Sequence, residues 1–190
     1  FAQALQWGVE IYRALGTLLS DRKLSTNVGD EGGYAPSLGA NSEALTLIVR
    51  AVEQAGRRPG EDVVLGVDAA AQTLWEQGDK ACYRLHCGGR DYDAAGLIEF
   101  WSEMARSFPI ASIEDGLREN DWQAWPQLTA RLGERLQIVG DDLLVTREEF
   151  IRRAIRERSA NSLLVKANQV GTLTETLDSV RLAQTAGWTT

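Results

Sequence analysis

The chain has 190 residues, of which 25% are charged and 44% apolar, and a formal net charge of −7. That is the composition of a soluble globular protein large enough to bury a core, and it excludes fibrous and disordered classes. No apolar run approaches the roughly 20 residues of a membrane helix, the first residues lack the pattern of a signal peptide, and the spread of negative charge argues against nucleic acid or an anionic membrane as partner.

Leu5, Val9, Tyr12, Leu15, Leu18 and Leu19 recur at helical spacing and predict an amphipathic helix from Phe1 to about Ser20 with these residues inward. Leu24 to Val28 reads as a short strand running into the glycine-rich loop Gly29-Asp30-Glu31-Gly32-Gly33. A second helix is expected from Asn41, ending at Gly56 and Pro59. Val63-Val64-Leu65-Gly66-Val67-Asp68 is an apolar strand that ends in an acid. Residues 72–92 are irregular, with a short strand expected at Ala81 to Leu85, and form an excursion from the main pattern. Cys82 and Cys87 within it have a spacing that suits neither a redox pair nor a zinc knuckle, so they are expected as free thiols in a reducing cytoplasm. His86, the only histidine, is expected at the surface or in a loop.

Asp93 can cap a helix through about Ser107, and Ile110 to Glu114 is again an apolar run ending in an acid. A helical interval with Trp122, Trp125, Leu128 and Leu132 leads to Gln137 to Gly140 and then to Asp141-Asp142. Thr146 is positioned to cap the next helix, with Glu148 and Glu149 in its first turn and arginines later, the order a helix dipole favours. Ser162 to Val165 is one more buried strand, ending at Lys166, and a last helix from Thr172 to about Ala186 precedes Trp188-Thr189-Thr190, the expected start of a further strand. The six tryptophans fall mostly on apolar helical faces and read as core or interface.

Strands ending near Glu31, Asp68, Glu114, Asp141 and Lys166, each followed by a helix, predict a parallel sheet with helical cover. Chemistry drawn from a ring of strand ends favours a (β/α)₈ TIM-type barrel over an open sheet, and a barrel of about 250 residues exceeds this chain. A partial barrel, incomplete at both ends, is therefore the expected fold.

Three carboxylates at one barrel mouth, Asp68, Glu114 and Asp141, repel unless neutralised, and an oxygen-only set suits a hard cation such as Mg²⁺. Lys166 beside that cation is expected to have a lowered pKa and to act as a general base, while Glu31 is a candidate acid. Each strand-terminal acid can alternatively be a simple helix cap. Asp115 and Asp142 point away from the proposed ligands that precede them and are expected in supporting roles.

At these residues the chain resembles enolase, phosphopyruvate hydratase. The resemblance is carried by Val28-Gly29-Asp30-Glu31-Gly32-Gly33-Tyr34-Ala35-Pro36, by Ser112 to Leu117 with Glu119 to Trp122, by Val139 to Leu143 with Val145-Thr146, and by Lys166 with Asn168 to Leu177. It implies that residues 1–190 are the central part of an enolase-like C-terminal barrel, with the N-terminal domain and the last barrel strands absent. It implies Mg²⁺ on Asp68, Glu114 and Asp141, Glu31 as the acid that helps the β-hydroxyl leave, and Lys166 as the base at C2 of 2-phosphoglycerate. A phosphorylated carboxylate substrate, a homodimer or higher oligomer, and a cytoplasmic enzyme of glycolysis follow from the same resemblance. So does weak or absent activity of this chain alone, because the family's phosphate-holding groups lie outside it. Gln72-Thr73 and Ala167 depart from the family pattern and raise the alternative of a related phosphonate or carboxylate substrate, as in the carboxyphosphonoenolpyruvate synthase type; a non-catalytic binding role is the other alternative.

Overall fold

The computed structural model describes every residue except 79, 80, 86 and 88, so the expectation for His86 lies outside the described residues. The chain forms two compact units, Phe1–Leu65 with Leu85–Arg90, and Gly66–Arg84 with Asp91–Thr190.

In the first unit, α1 (Ala2–Asp21) packs against α2 (Asn41–Gln54). Leu19 from α1 and Leu47, Ala51 and Val52 from α2 are buried. The inward face of α1 differs from expectation: Leu5, Val9 and Tyr12 are exposed, and the half-buried residues include Trp7, Ile11, Ala14 and Leu15. A pattern of period 3.6 defines a stripe but leaves its angular centre open when tryptophan and isoleucine offer an alternative stripe about one residue round. Both helices end as their sequences imply, α2 with Gly56 at φ +73°, a conformation closed to most side chains.

The strand expected at Leu24–Val28 is absent. Val28 instead makes a single antiparallel bridge to Tyr34, closing the glycine loop on itself through Gly29 N–H to the Gly33 carbonyl at 2.9 Å. Three glycines in five residues favour a tight turn over an extended run, because glycine gains little from the sheet and loses much backbone entropy in it. The loop is tied to α1 by Tyr12, whose hydroxyl donates to the Gly32 carbonyl at 2.9 Å and whose ring stacks on Tyr34 at 4.4 Å.

The second unit is built on a sheet of β1 (Leu65–Asp68), β5 (Ile110–Glu114), β6 (Gln137–Gly140) and β7 (Ser162–Leu163), in that order. The pairs β5–β6 and β6–β7 are parallel, in registers Glu114 to Val139 and Gly140 to Leu163. Thr189 bridges Ser162 in parallel, so Trp188-Thr189-Thr190 extends the sheet beyond β7 as expected. The helices α3 (Ala94–Ser107), α4 (Trp125–Leu132), α5 (Glu148–Glu157), α6 (Ala167–Val170) and α7 (Leu173–Thr185) fall between successive strands or between β7 and Thr189. This is the βα repeat of a TIM-type barrel, present as an unclosed portion.

The core between sheet and helices holds Ile113, Leu128, Ile138, Leu144, Ile151 and Leu163, each no more than 2% exposed. Asp93 caps α3 as predicted, accepting the Gly96 N–H at 2.7 Å. Asn161 joins the end of one repeat to the start of the next: its Oδ1 accepts the Ile138 N–H, and its Nδ2 donates to the Gly133 and Leu136 carbonyls.

Between β1 and α3 the described residues hold more regular structure than their sequence suggests, and the strand expected at Ala81 to Leu85 is present at Cys82–Arg84. A 3₁₀ turn (Ala71–Leu74) leads into a three-stranded antiparallel sheet of β2 (Trp75–Glu76), β3 (Cys82–Arg84) and β4 (Asp91–Tyr92). Arg84 on the central strand ion-pairs with Glu76 and Asp91 on its two neighbours. Tyr83, on the opposite face, is fully buried; its hydroxyl accepts the Arg118 N–H at 3.2 Å and donates to Asp121 at 3.3 Å. Both cysteines are free thiols, as expected.

Candidate active site

The chemistry-bearing residues of the second unit gather at the carboxyl ends of its parallel strands. Asp68 and Glu114 are the last residues of β1 and β5, and Asp141 directly follows β6. Lys166 lies three residues beyond β7 as the residue preceding α6. Parallel strands in register bring their ends to one edge, so residues far apart in sequence meet there.

Asp141 is the most constrained of the four. It is buried, its Oδ1 accepts a hydrogen bond from Gln169 Nε2 at 2.8 Å, and its Oδ2 is ion-paired with Lys166 Nζ. Glu114 is half-buried and its carboxyl is pushed up to about 7, first by burial and then by the neighbouring charges of Asp68 and Asp141. Its side chain has no hydrogen-bond or ion-pair partner among the described residues, whereas Asp141 is paired with Lys166. Asp68 is exposed and spends one oxygen on the Ala70 N–H at 3.0 Å, holding the left-handed turn at Ala70. The capping alternative thus applies to part of Asp68, and its second oxygen remains for another partner.

Asp115 is 6% exposed and its two carboxylate oxygens accept the backbone N–H groups of Asp141 at 3.1 Å and Asp142 at 2.9 Å. It therefore fixes the loop that carries Asp141. Burial raises its carboxyl to about 6 against the lowering effect of those two hydrogen bonds. Carboxylate oxygens of Asp115, Asp141 and Asp142 lie within 4.8 Å of one another, a cluster that could hold a metal ion. Asp115 already uses both oxygens on backbone donors, which accounts for the proximity of Asp141 and Asp142 without an ion. Taken with Asp68 and Glu114, the edge presents carboxylate oxygens and an amide among the described residues, a donor set that fits a hard divalent cation.

The Lys166 amine is raised here, because Asp141 bonds it directly and Glu114 and Asp142 add to the negative field around it; the lowering expected of it belongs to a lysine beside a cation, a different electrostatic setting. One expectation is corrected. Thr146 does not cap α5: the residue before that helix is Arg147, with no side-chain cap, while Thr146 is fully buried at φ +53°. Its hydroxyl accepts the Lys166 N–H at 2.9 Å and lies 3.0 Å from Gln169 Oε1, and Ser179 donates to its carbonyl at 2.7 Å. Thr146 and Gln169 bond Lys166 and Asp141 of the candidate site, and sequence patterning did not single them out for it. Gln169 stands three residues after Lys166, where a helical turn returns its side chain to the same side, and that spacing is the available signal.

Glu31 belongs to the first unit, in an exposed turn of the glycine loop and not at a strand end of the parallel sheet. No helix among the described residues is long and apolar enough to cross a membrane. Residues 1–190 match the enolase C-terminal TIM barrel domain, and the chain belongs to that family.

Proposed function

We propose that this chain carries the metal-holding and proton-transferring part of an enolase-type lyase, which dehydrates 2-phosphoglycerate to phosphoenolpyruvate. The observation that carries the reading is the constellation of Glu114, Asp141 and Lys166 at adjoining strand ends within a chain that matches the enolase barrel throughout. Enzymes of this superfamily are lyase-type and use Mg²⁺ with small-molecule substrates.

Asp68, Glu114 and Asp141 are the residues that would hold the cation, which when bound supplies positive charge against the carboxylate of the substrate and the charge that develops on it. Neutral Lys166 removes the proton from the carbon beside the carboxylate. Asp141 as it stands favours the protonated amine; with its oxygens engaged by a cation, whose positive charge would lower the Lys166 pKa, the neutral form would become available. Glu31 donates a proton to the departing hydroxyl, so that water leaves as the carbon–carbon double bond forms; the family pattern alone supports this role. Asp115 keeps Asp141 aimed, and Thr146 and Gln169 keep Lys166 and Asp141 in register. A homodimer and a cytoplasmic setting belong to the same proposal.

The test is exchange of the C2 proton of 2-phosphoglycerate with deuterium in the presence of Mg²⁺, followed by proton NMR on the intact protein. Lys166→Ala is expected to abolish exchange with an unchanged circular dichroism spectrum. Exchange that persists in this variant overturns the base assignment. Exchange with a phosphonate or another carboxylate but not with 2-phosphoglycerate transfers the reading to a paralogous substrate.

A further inference from the structure

Three half-buried arginines, Arg57, Arg118 and Arg153, lie over tryptophan rings. Arg57 sits 4.6 Å from the centre of Trp7 and is paired with Glu10 at 2.9 Å. Arg153 sits 4.0 Å from Trp122 and is paired with Glu157 at 2.9 Å. In both, the ring covers the flat face of the guanidinium and a carboxylate fills its edge. Arg118 sits 4.0 Å from Trp75 and has the ring alone. Its guanidinium makes no hydrogen bond or ion pair to any described residue, and its Nε is buried without a partner. Arg57 Nε is likewise buried without a partner, but its guanidinium is ion-paired with Glu10, whereas Arg118 has no carboxylate partner among the described residues.

The arginine is nonetheless held firmly. Its backbone N–H donates to the buried Tyr83 hydroxyl and its carbonyl accepts from Trp125 Nε1 at 3.1 Å, while Trp75 packs edge-on against Tyr83 at 4.9 Å. Asp121, which also bonds the Tyr83 hydroxyl, accepts that bond at its Oδ2. A fixed guanidinium with one face covered and Nε shielded from water is a partly desolvated cation, and its terminal N–H pair presents the planar fork that matches an oxyanion bidentately. Desolvation strengthens such a pairing over one in open water. Arg118 follows the end of β5 by four residues and Trp75 begins β2 just after β1, so both belong to loops at the carboxyl edge of the sheet.

We propose that Arg118 and Trp75 form a binding site for the phosphate or carboxylate group of a small molecule. The inference goes beyond the proposed reaction and uses none of its residues, so its test is run without Mg²⁺ or turnover and stands or falls separately from exchange at Lys166. Inorganic phosphate and, in a second arm, acetate are titrated into the ¹⁵N-labelled chain against sodium chloride of equal ionic strength, reading the Arg118 Nε–H and Trp75 Nε1–H resonances. The expected result is a saturable shift of both with at least one of the two anions, which identifies the class, and at least tenfold weaker binding in Arg118→Lys, which keeps the charge and loses the fork. Arg118→Gln should abolish the shift at Trp75. Movement no larger than with chloride for both anions, or a Trp75 shift unchanged in Arg118→Lys, overturns the proposal; the titration of the unsubstituted chain decides even where Arg118→Gln fails to fold.

Discussion

Replacing Asp115 by alanine separates the two ways a cation could sit among these acids. Its two hydrogen bonds to the Asp141 and Asp142 amides have a charged acceptor, and each contributes about 1.5–3 kcal/mol, so their loss costs about 3–6 kcal/mol. Burial opposes that loss: the carboxyl stands at about 6 in place of the ordinary 3.8 with both hydrogen bonds already acting on it, so urea denaturation at pH 7 should show a net loss smaller than the two bonds' sum. Metal affinity should fall further, because a ligand whose supporting group is removed typically binds about 10–100-fold more weakly, and here Asp141 loses the anchor of its loop. Titration calorimetry with Mg²⁺ reads this directly. Asp142→Asn, which removes a carboxylate that supports nothing on the ligand side, should leave affinity within about twofold, a change of less than about 0.5 kcal/mol. If instead Asp115→Ala and Asp142→Asn both abolish binding while Asp68→Asn and Glu114→Gln retain it, the cation belongs to the three clustered aspartates and the assignment of Asp68 and Glu114 is wrong.

Gly140→Ala should destabilise by about 1–3 kcal/mol through overpacking, since the new Cβ would lie 2.7 Å from Leu144 Cγ and Cδ1 in the closed core beside Asp141. Thermal unfolding measures it, and an unchanged melting temperature would mean Leu144 moves freely aside. Tyr83→Phe should cost about 1–3 kcal/mol by leaving the Arg118 N–H unpaired. The same variant should be less sensitive to alkali: burial raises the Tyr83 phenol to about 12, so the unfolded chain ionises first and the unsubstituted protein loses stability between about pH 10 and 12. Equal alkaline sensitivity in the two proteins would remove Tyr83 from that window.

The parallel strands and their acidic ends were legible because two local signals coincide at each: an apolar run with β-branched residues, and a polar residue where the run stops. Asp68, Glu114 and Asp141 stand at the predicted edge for that reason. The glycine loop lacked the first signal. Leu24 to Val28 offers too little apolar surface for a sheet neighbour, and the loop closed on Tyr34 and Tyr12 instead. Between residues 72 and 92 the strand at Ala81 to Leu85 was legible and forms as β3, whereas its partners β2 and β4 were not: they are two residues long, below any periodicity, and are held by cross-strand ion pairs and one buried tyrosine.

Thr146 shows where local reading fails in principle. A threonine before Glu148 and Glu149 satisfies the pattern of a helix cap, and the pattern is defined within four residues of chain. Its observed partners, the Lys166 amide, Gln169 and Ser179, lie 20 to 33 residues away and become neighbours only when β6 and β7 pair. The left-handed backbone at Val145 and Thr146 is a cost with no local compensation, and it is sustained by those distant bonds. The hydroxyl that would have stabilised one helix end by about 1 kcal/mol is used instead to hold the Lys166 backbone. Residues that violate a local rule under long-range restraint concentrate where chemistry needs geometry, so the misread cap at Thr146 is itself an indication that the edge carrying Asp141 and Lys166 is the working edge of the sheet.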